Sequence, residues 1–239
     1  MLDFLECDRD HTNLLVYVDG DLQLYEVARN LTTASNFREK LCIYRRKGLP
    51  NVGSVIRRRE RIAAIHNEIK DLINPCSYVF MIEDDTLFPY STLKQMLTAY
   101  TEHPHAGLVS AIELGRWGFL HIGAWTVNDI YNVTQITSID KPKKKQRIDA
   151  AGFYCCLTKY TYYKQHIFRP YMDVLGPDVD YGLSLRTQGL INFVLPIECV
   201  HMDKREDITF NDADIVKIEL NRVNNDWDLT VINDITITI

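Results

Sequence analysis

Apolar, β-branched runs alternate with helix-period segments along most of this chain, and that alternation points to an α/β fold with a largely parallel sheet. "NLLVYVDGD" (13–21) reads as a strand ending in a turn, "YEVARNL" as the helix after it, and "EKLCIYRR" (39–46) as the next strand. From Val55 to Ile73, Ile62, Ile65, Ile69 and Leu72 recur at helical spacing behind a cluster of arginines. "CSYVFMIEDD" follows as a strand, Ser91 to Glu102 as a helix, and "AGLVSAI" and "FLHIGAWTV" as further strands. "DAAGFYCCLTKYTYYKQ" holds a strand with a helix beyond it. "GPDVDYGLSLRTQG" is a short helix opened by a Gly-Pro turn and ended by Gly189, and "INFVLPIECVHM" is a strand closing on His201. Residues 1–205 are expected to form this domain and 206–239, which end in "WDLTVINDITITI", a β-rich C-terminal extension; no internal repeat is visible.

Composition narrows the function classes. At 239 residues, 46% hydrophobic and 25% charged, the chain is long enough to bury a sizeable core. A net charge of -5 argues against a surface that grips nucleic acid throughout, although "KPKKKQR" (141–147) is a local basic run, read as a solvated loop. No apolar run approaches the ~18 to 20 residues of a membrane span, and "MLDFLECDRD" lacks the basic-then-apolar order of a signal peptide, so the expected location is the cytoplasm. The six cysteines show no Cys-x-x-Cys spacing and read as small buried hydrophobes.

One stretch poses a physical problem. "CSYVFMIEDDTLFP" (76–89) ends a buried strand on Glu83, Asp84 and Asp85, where like charges repel and desolvation is costly unless something positive compensates. A hard divalent cation bound through oxygen, Mn²⁺ or Mg²⁺, solves it, and the carboxyl end of a central strand is where open α/β sheets bind ligands. The bland alternative is that these acids cap the next helix and face water.

The order of the pieces around that stretch resembles the nucleotide-sugar glycosyltransferases of the GT-A fold, of the family 2 type: "VDGD" at a strand end, an arginine-led helix, "MIEDDTLFP", "DAAGFYCCLTK", then "GPDVDYGLSLRTQGLINFVLPIECVHM". The resemblance covers residues 13 to 202 and implies a Rossmann-like, mostly parallel sheet flanked by helices. It implies Asp85 as principal metal ligand, with Glu83 in place of the first Asp of the Asp-x-Asp motif, Asp84 within the motif beside the nucleotide, and His201 completing the metal site. His201 reads equally as a buried, hydrogen-bonded histidine. Asp19 matches the acid that binds the nucleobase. Arg59, among Arg57, Arg58, Arg59 and Arg61, is placed by the diphosphate, against the alternative of a solvated basic helix face. Gly152 lies in the segment that lines the acceptor side. Asp178 matches the general base, with Asp180 as runner-up and a plain helix cap as the alternative. His66 reads as structural. The chain departs from the family by lacking the usual first strand and by carrying Pro177 before Asp178 where the motif reads Glu-Asp.

The activity so implied is metal-dependent, inverting transfer of a sugar from a nucleoside diphosphate donor, a UDP-sugar first among them, to a hydroxyl acceptor. That acceptor would be a glycan, polymer or lipid-linked group, and less readily a modified DNA base. Trp117, Phe119 and Trp125 are aromatics able to stack on a sugar ring, or to pack in the core. The rival readings are a nucleotidyltransferase and a non-catalytic nucleotide- or sugar-binding module.

Overall fold

The computed structural model describes residues 6–19, 22–45, 55–114, 121–129, 132–137, 142–169 and 176–201. The chain opens with a parallel pair, β1 (Asn13–Asp19) and β2 (Glu39–Arg45), joined through helix α1 (Leu22–Ala34), with Asn13 opposite Glu39 and Asp19 opposite Arg45. Helix α2 (Val55–Leu72) is tied to this pair by polar groups. The Tyr17 hydroxyl donates to Glu68, Glu68 accepts Arg45 at 3.0 Å, and Arg61 Nε meets the Asp19 carboxylate at 2.6 Å. The isoleucines whose spacing predicted α2 turn the other way: Ile62 and Ile69 pack with buried Ala63 into the main core.

The larger sheet has the order β3 (Tyr78–Ile82), β10 (Cys155–Lys159), β5 (Ala106–Leu114), β11 (Ile191–His201), β4 (Thr86–Leu87), with β8 (Gln146–Ile148) also paired to β11. Helices α3 (Thr92–Glu102), α4 (Tyr160–Gln165) and α5 (Pro177–Thr187) pack around it. Between β5 and β10 the chain leaves to build a smaller three-stranded sheet from β6 (His121–Asp129), β7 (Asn132–Thr137) and β9 (Ala150–Ala151). Strand β5 has the sequence of a strand covered on both faces, and Leu108, Val109 and Ala111 have no exposed surface. The result is a mixed α/β fold with a central sheet flanked by helices.

Strands β3, β5 and β11 run in one direction, as the alternation of elements predicts, so their carboxyl ends share one edge. Strand β10 lies between β3 and β5 and runs against both, which makes β5–β11 the one parallel pairing of this sheet among the described residues. The cause is the excursion before it: the chain re-enters from β9 at the carboxyl edge, where the Glu83 N–H donates to the Tyr154 carbonyl at 3.0 Å, and can only run back. The short strands β7, β8 and β9 were not expected, and Gln146 and Arg147, read as part of a charged loop, lie in β8. No helix among the described residues is long and apolar enough to cross a membrane. The extension 206–239, the boundary at 205, and Trp117 and Phe119 lie outside the described residues.

Candidate functional site

The shared carboxyl edge of β3, β5 and β11 gathers acids from distant parts of the chain. After β3, Glu83 to Thr86 form a tight turn closed by the Thr86 N–H donating to the Glu83 carbonyl at 3.2 Å. The turn points its acids in different directions: Glu83 is half-buried, Asp84 exposed and Asp85 buried at 9% exposure. It leads straight into β4, where Thr86 pairs with His201 and Leu87 with Val200. The last residue of β11 is thereby set beside the acidic turn. His201 is described in its backbone alone.

Asp178 reaches the same edge from α5. Gly176 is the helix N-cap and Pro177 begins the first turn, so Asp178 is not the capping residue. The residue is half-buried, and its carboxyl is closely packed, since a Cβ on Gly176 would collide with its Oδ1. Burial holds that carboxyl above the usual carboxylate range; the N–H groups of Val179 and of Asp178 itself and the Arg59 guanidinium pull it down, and Glu113 pushes it up. A second reporter agrees on the placement. Burial pushes the Cys156 thiol well up, and the negative fields of Glu83 and Asp178 push it further, so both carboxylates lie near one point of β10.

The wall beside Asp178 is made by two glycines and a tyrosine. The Gly152 N–H donates to the Gly123 carbonyl at 3.0 Å, and the buried Tyr154 ring fits against both backbones. A Cβ on Gly152 would lie 2.8 Å from Tyr154 Cδ1 and 3.8 Å from Asp178 Oδ2; one on Gly123, at φ +65, would lie 2.6 Å from Tyr154 Cε1 and collide with Glu113 Oε2. Glu113, near the end of β5 and 5% exposed, was not picked out in the sequence. Its signal was there in "VSAIEL", an apolar strand closing on an acid just as "VFMIEDD" does.

The arginine-led helix turns two guanidinium groups inward. Arg58 is exposed, Arg59 acts on Asp178, and Arg61 is committed to Asp19 through Nε and, at 3.2 Å, to the Asp19 carbonyl. The second carboxylate oxygen of Asp19 is buried without a hydrogen-bond partner among the described residues. The Arg57 side chain is outside the described ones. Asp180 faces elsewhere than Asp178: its carboxylate lies 3.4 Å from His166 Nε2, whose ring packs on Phe168 and Tyr181. His66 is structural, as expected. Its Nδ1 meets the Tyr163 hydroxyl at 2.8 Å, it packs on Phe153 and Phe168, and burial holds it down at about 3, hence neutral. Trp125 packs, as Leu183 does, on the buried pair Ala150 and Val179.

Among the described residues no three His, Cys, Asp or Glu side chains gather as metal ligands. A self-sufficient protein cage is therefore not what these residues build. Magnesium-type ions use another arrangement, one or two carboxylates plus water and substrate phosphates. Glu83 and Asp85 suit it; the hydroxyl of Thr86, the next residue in the chain, is buried and has no hydrogen-bond partner among the described residues.

No family model matches the chain, and no curated protein does. Solved structures do. The crystal structure of GalNAc-T7 with UDP, GalNAc and Mn²⁺ aligns with 81% of this chain at 10% identity and a TM-score of 0.54, and the chain spans 38% of the length of that one. A197 from STIV aligns with 80% of this chain and 85% of its own at 14% identity, with a TM-score of 0.42. CMP:2-keto-3-deoxy-manno-octonic acid synthetase, complexed with CTP, aligns with 89% of this chain and 81% of its own at 12% identity, with a TM-score of 0.39. What is shared with GalNAc-T7 at this identity is the fold: a mixed α/β, Rossmann-like sheet flanked by helices.

Proposed function

We propose that this protein transfers a sugar from a nucleoside diphosphate donor to a hydroxyl acceptor, with inversion at the anomeric carbon. The observation that carries the reading is the meeting of the Glu83–Asp85 turn and the half-buried Asp178 at one sheet edge, near Cys156. The GalNAc-T7 neighbour, solved with UDP and Mn²⁺, has the same fold and supports the donor class. The narrower family 2 assignment rests on the order of residues alone.

In this mechanism Asp178 accepts the proton of the acceptor hydroxyl as that oxygen bonds the anomeric carbon. The bond from that carbon to the diphosphate oxygen breaks, and the nucleoside diphosphate leaves. A carboxyl held above its ordinary range suits a general base, because its pKa lies nearer the working pH. Arg59, on the same side, supplies positive charge where the diphosphate gains negative charge. Glu83 and Asp85, with His201 set beside Thr86, are the residues that would hold Mn²⁺ or Mg²⁺, which when bound neutralises charge on the leaving group. Asp19 takes the nucleobase, Asp84 lies toward the nucleotide, Gly152 lines the acceptor side and Asp180 supports α5.

Calorimetry of UDP binding with and without Mn²⁺ tests the reading. Affinity is expected to depend on Mn²⁺ in the parent and to lose that dependence in Asp85→Ala; equal affinity in the parent under both conditions overturns the metal assignment. Product analysis with a panel of nucleotide sugars then fixes the reaction. Free nucleoside diphosphate marks a sugar transferase, pyrophosphate with a sugar phosphate partner marks a nucleotidyltransferase, and neither marks a binding module.

A further inference from the structure

Thr86 is the one residue of the acidic turn that the reading above leaves without a task. It follows Asp85 directly, opens β4 and pairs with His201 across the β4–β11 ladder. The residue is 2% exposed, and its hydroxyl has no hydrogen-bond partner among the described residues. The other buried threonines behave differently. Thr32 donates to the Ala28 carbonyl at 2.7 Å, Thr92 to the Pro89 carbonyl at 2.6 Å, and Thr158 to the Gly107 carbonyl at 2.9 Å. An unpaired buried hydroxyl lowers stability, and valine has nearly the same shape, suits strands as well and leaves no polar group unpaired. Packing alone therefore favours valine at this position.

We propose that Thr86 belongs to the cation–diphosphate site, its hydroxyl hydrogen-bonding an oxygen in the shell of the ion that Asp85 anchors. The inference rests on the reading of Glu83 and Asp85 as the cation residues and adds to them a residue of another chemical kind. Two features set Thr86 beside that site. Thr86 is adjacent in sequence to the buried Asp85, and the turn hydrogen bond from its N–H to the Glu83 carbonyl at 3.2 Å fixes it against the first acid of the triplet. Groups that bond to a metal's ligands and waters hold them in orientation, and their loss weakens metal affinity about 10- to 100-fold.

The test is Mn²⁺ binding in the presence of UDP, read from the electron paramagnetic resonance of free Mn²⁺, for the parent, Thr86→Val and Thr86→Ser, with thermal denaturation of each without Mn²⁺. The parent is expected to take up Mn²⁺, and Thr86→Val to bind it about 10- to 100-fold more weakly while melting at the same or a higher temperature. Thr86→Ser, which keeps the hydroxyl, is expected to bind within a few-fold of the parent. Equal affinity in the parent and Thr86→Val overturns the role of Thr86 and leaves the acidic turn as the cation site. Serine binding as weakly as valine overturns it too, because the loss then follows packing. A lower melting temperature in Thr86→Val would show that the hydroxyl has an ordinary structural partner. No uptake by the parent overturns the cation reading itself, and this proposal with it.

Discussion

Replacing Asp178 by asparagine is expected to separate stability from turnover. The folded protein holds this carboxyl above its ordinary value of 3.8, chiefly by burial. A carboxyl raised on folding keeps its proton in the folded state over the window between 3.8 and the higher folded value, while the unfolded chain has released its own. Stability from this group is therefore full below that window and falls as pH rises through it, so at neutral pH the ionised Asp178 is a burden on the fold. Asparagine has nearly the same volume and no charge, and its carbonyl can still accept the Val179 N–H. The variant should melt at the same or a higher temperature near pH 7. Turnover should fall by the ~10²- to 10⁴-fold that accompanies loss of a general base. The acid limb of kcat/KM, which the parent should show above the ordinary carboxylate range, should vanish. Asp180→Asn is the control, since that carboxylate faces His166 at 3.4 Å and should cost turnover much less. Turnover at saturating donor, with melting followed in parallel, decides it. An Asp178→Asn variant within a small factor of the parent refutes the assignment, and so does one whose melting temperature falls along with its rate.

Two further perturbations test the frame around the site. Gly123→Ala places a Cβ at φ +65, 2.6 Å from Tyr154 Cε1 and against Glu113. The left-handed backbone costs about 1–2 kcal/mol and the overpacking about 1–3; a loss below about 1 kcal/mol in urea denaturation would show that the wall yields more than these contacts allow. His66 sits at about 3 when folded against 6.5 when free. The unfolded chain gains a proton that the folded one refuses, so stability should fall as pH drops below 6.5, by about 1.4 kcal/mol per unit at most, until about 3. His66→Gln should be less steep than the parent by that amount between pH 6 and 4 on the order of the same principle, and parallel slopes would mean that His66 protonates without unfolding its pocket.

The periodicities that announced the fold are local, and so is what they could foretell. The apolar spacing of α2 fixed which face meets the core, because Ile62 and Ile69 must leave water. That spacing does not decide the arginines: Arg58 stands four residues before Ile62, on the same side of the helix, yet is exposed, while Arg59 and Arg61 turn toward Asp178 and Asp19. Which guanidinium would go to which acid was beyond the spacing, since it depends on how β1 and α5 sit on either side of α2. The direction of β10 was hidden for a related reason. "YCCLTK" reads alike in a parallel or an antiparallel ladder, and its direction is set by the edge at which the chain returns from β9.

The site divides along the same line. Glu83 and Asp85 could be picked out because acids at the end of an apolar run are an energetic anomaly visible in one dimension, whereas Asp178 was picked out by the order of the motifs and its place after the Gly176-Pro177 turn. Glu113 is the same anomaly in weaker form, a single acid in "VSAIEL", and it gains meaning only when β5 is found to end at the edge where β3 ends. Thr86 carries no anomaly in the sequence, because threonine is an ordinary strand residue. Its oddity is the missing partner of a hydroxyl at 2% exposure, a fact of three dimensions. A strand end that closes on an acid is thus a signal to compare with every other strand end in the chain. The neutral residues between such acids can be judged only after asking where each buried hydroxyl sends its hydrogen bond.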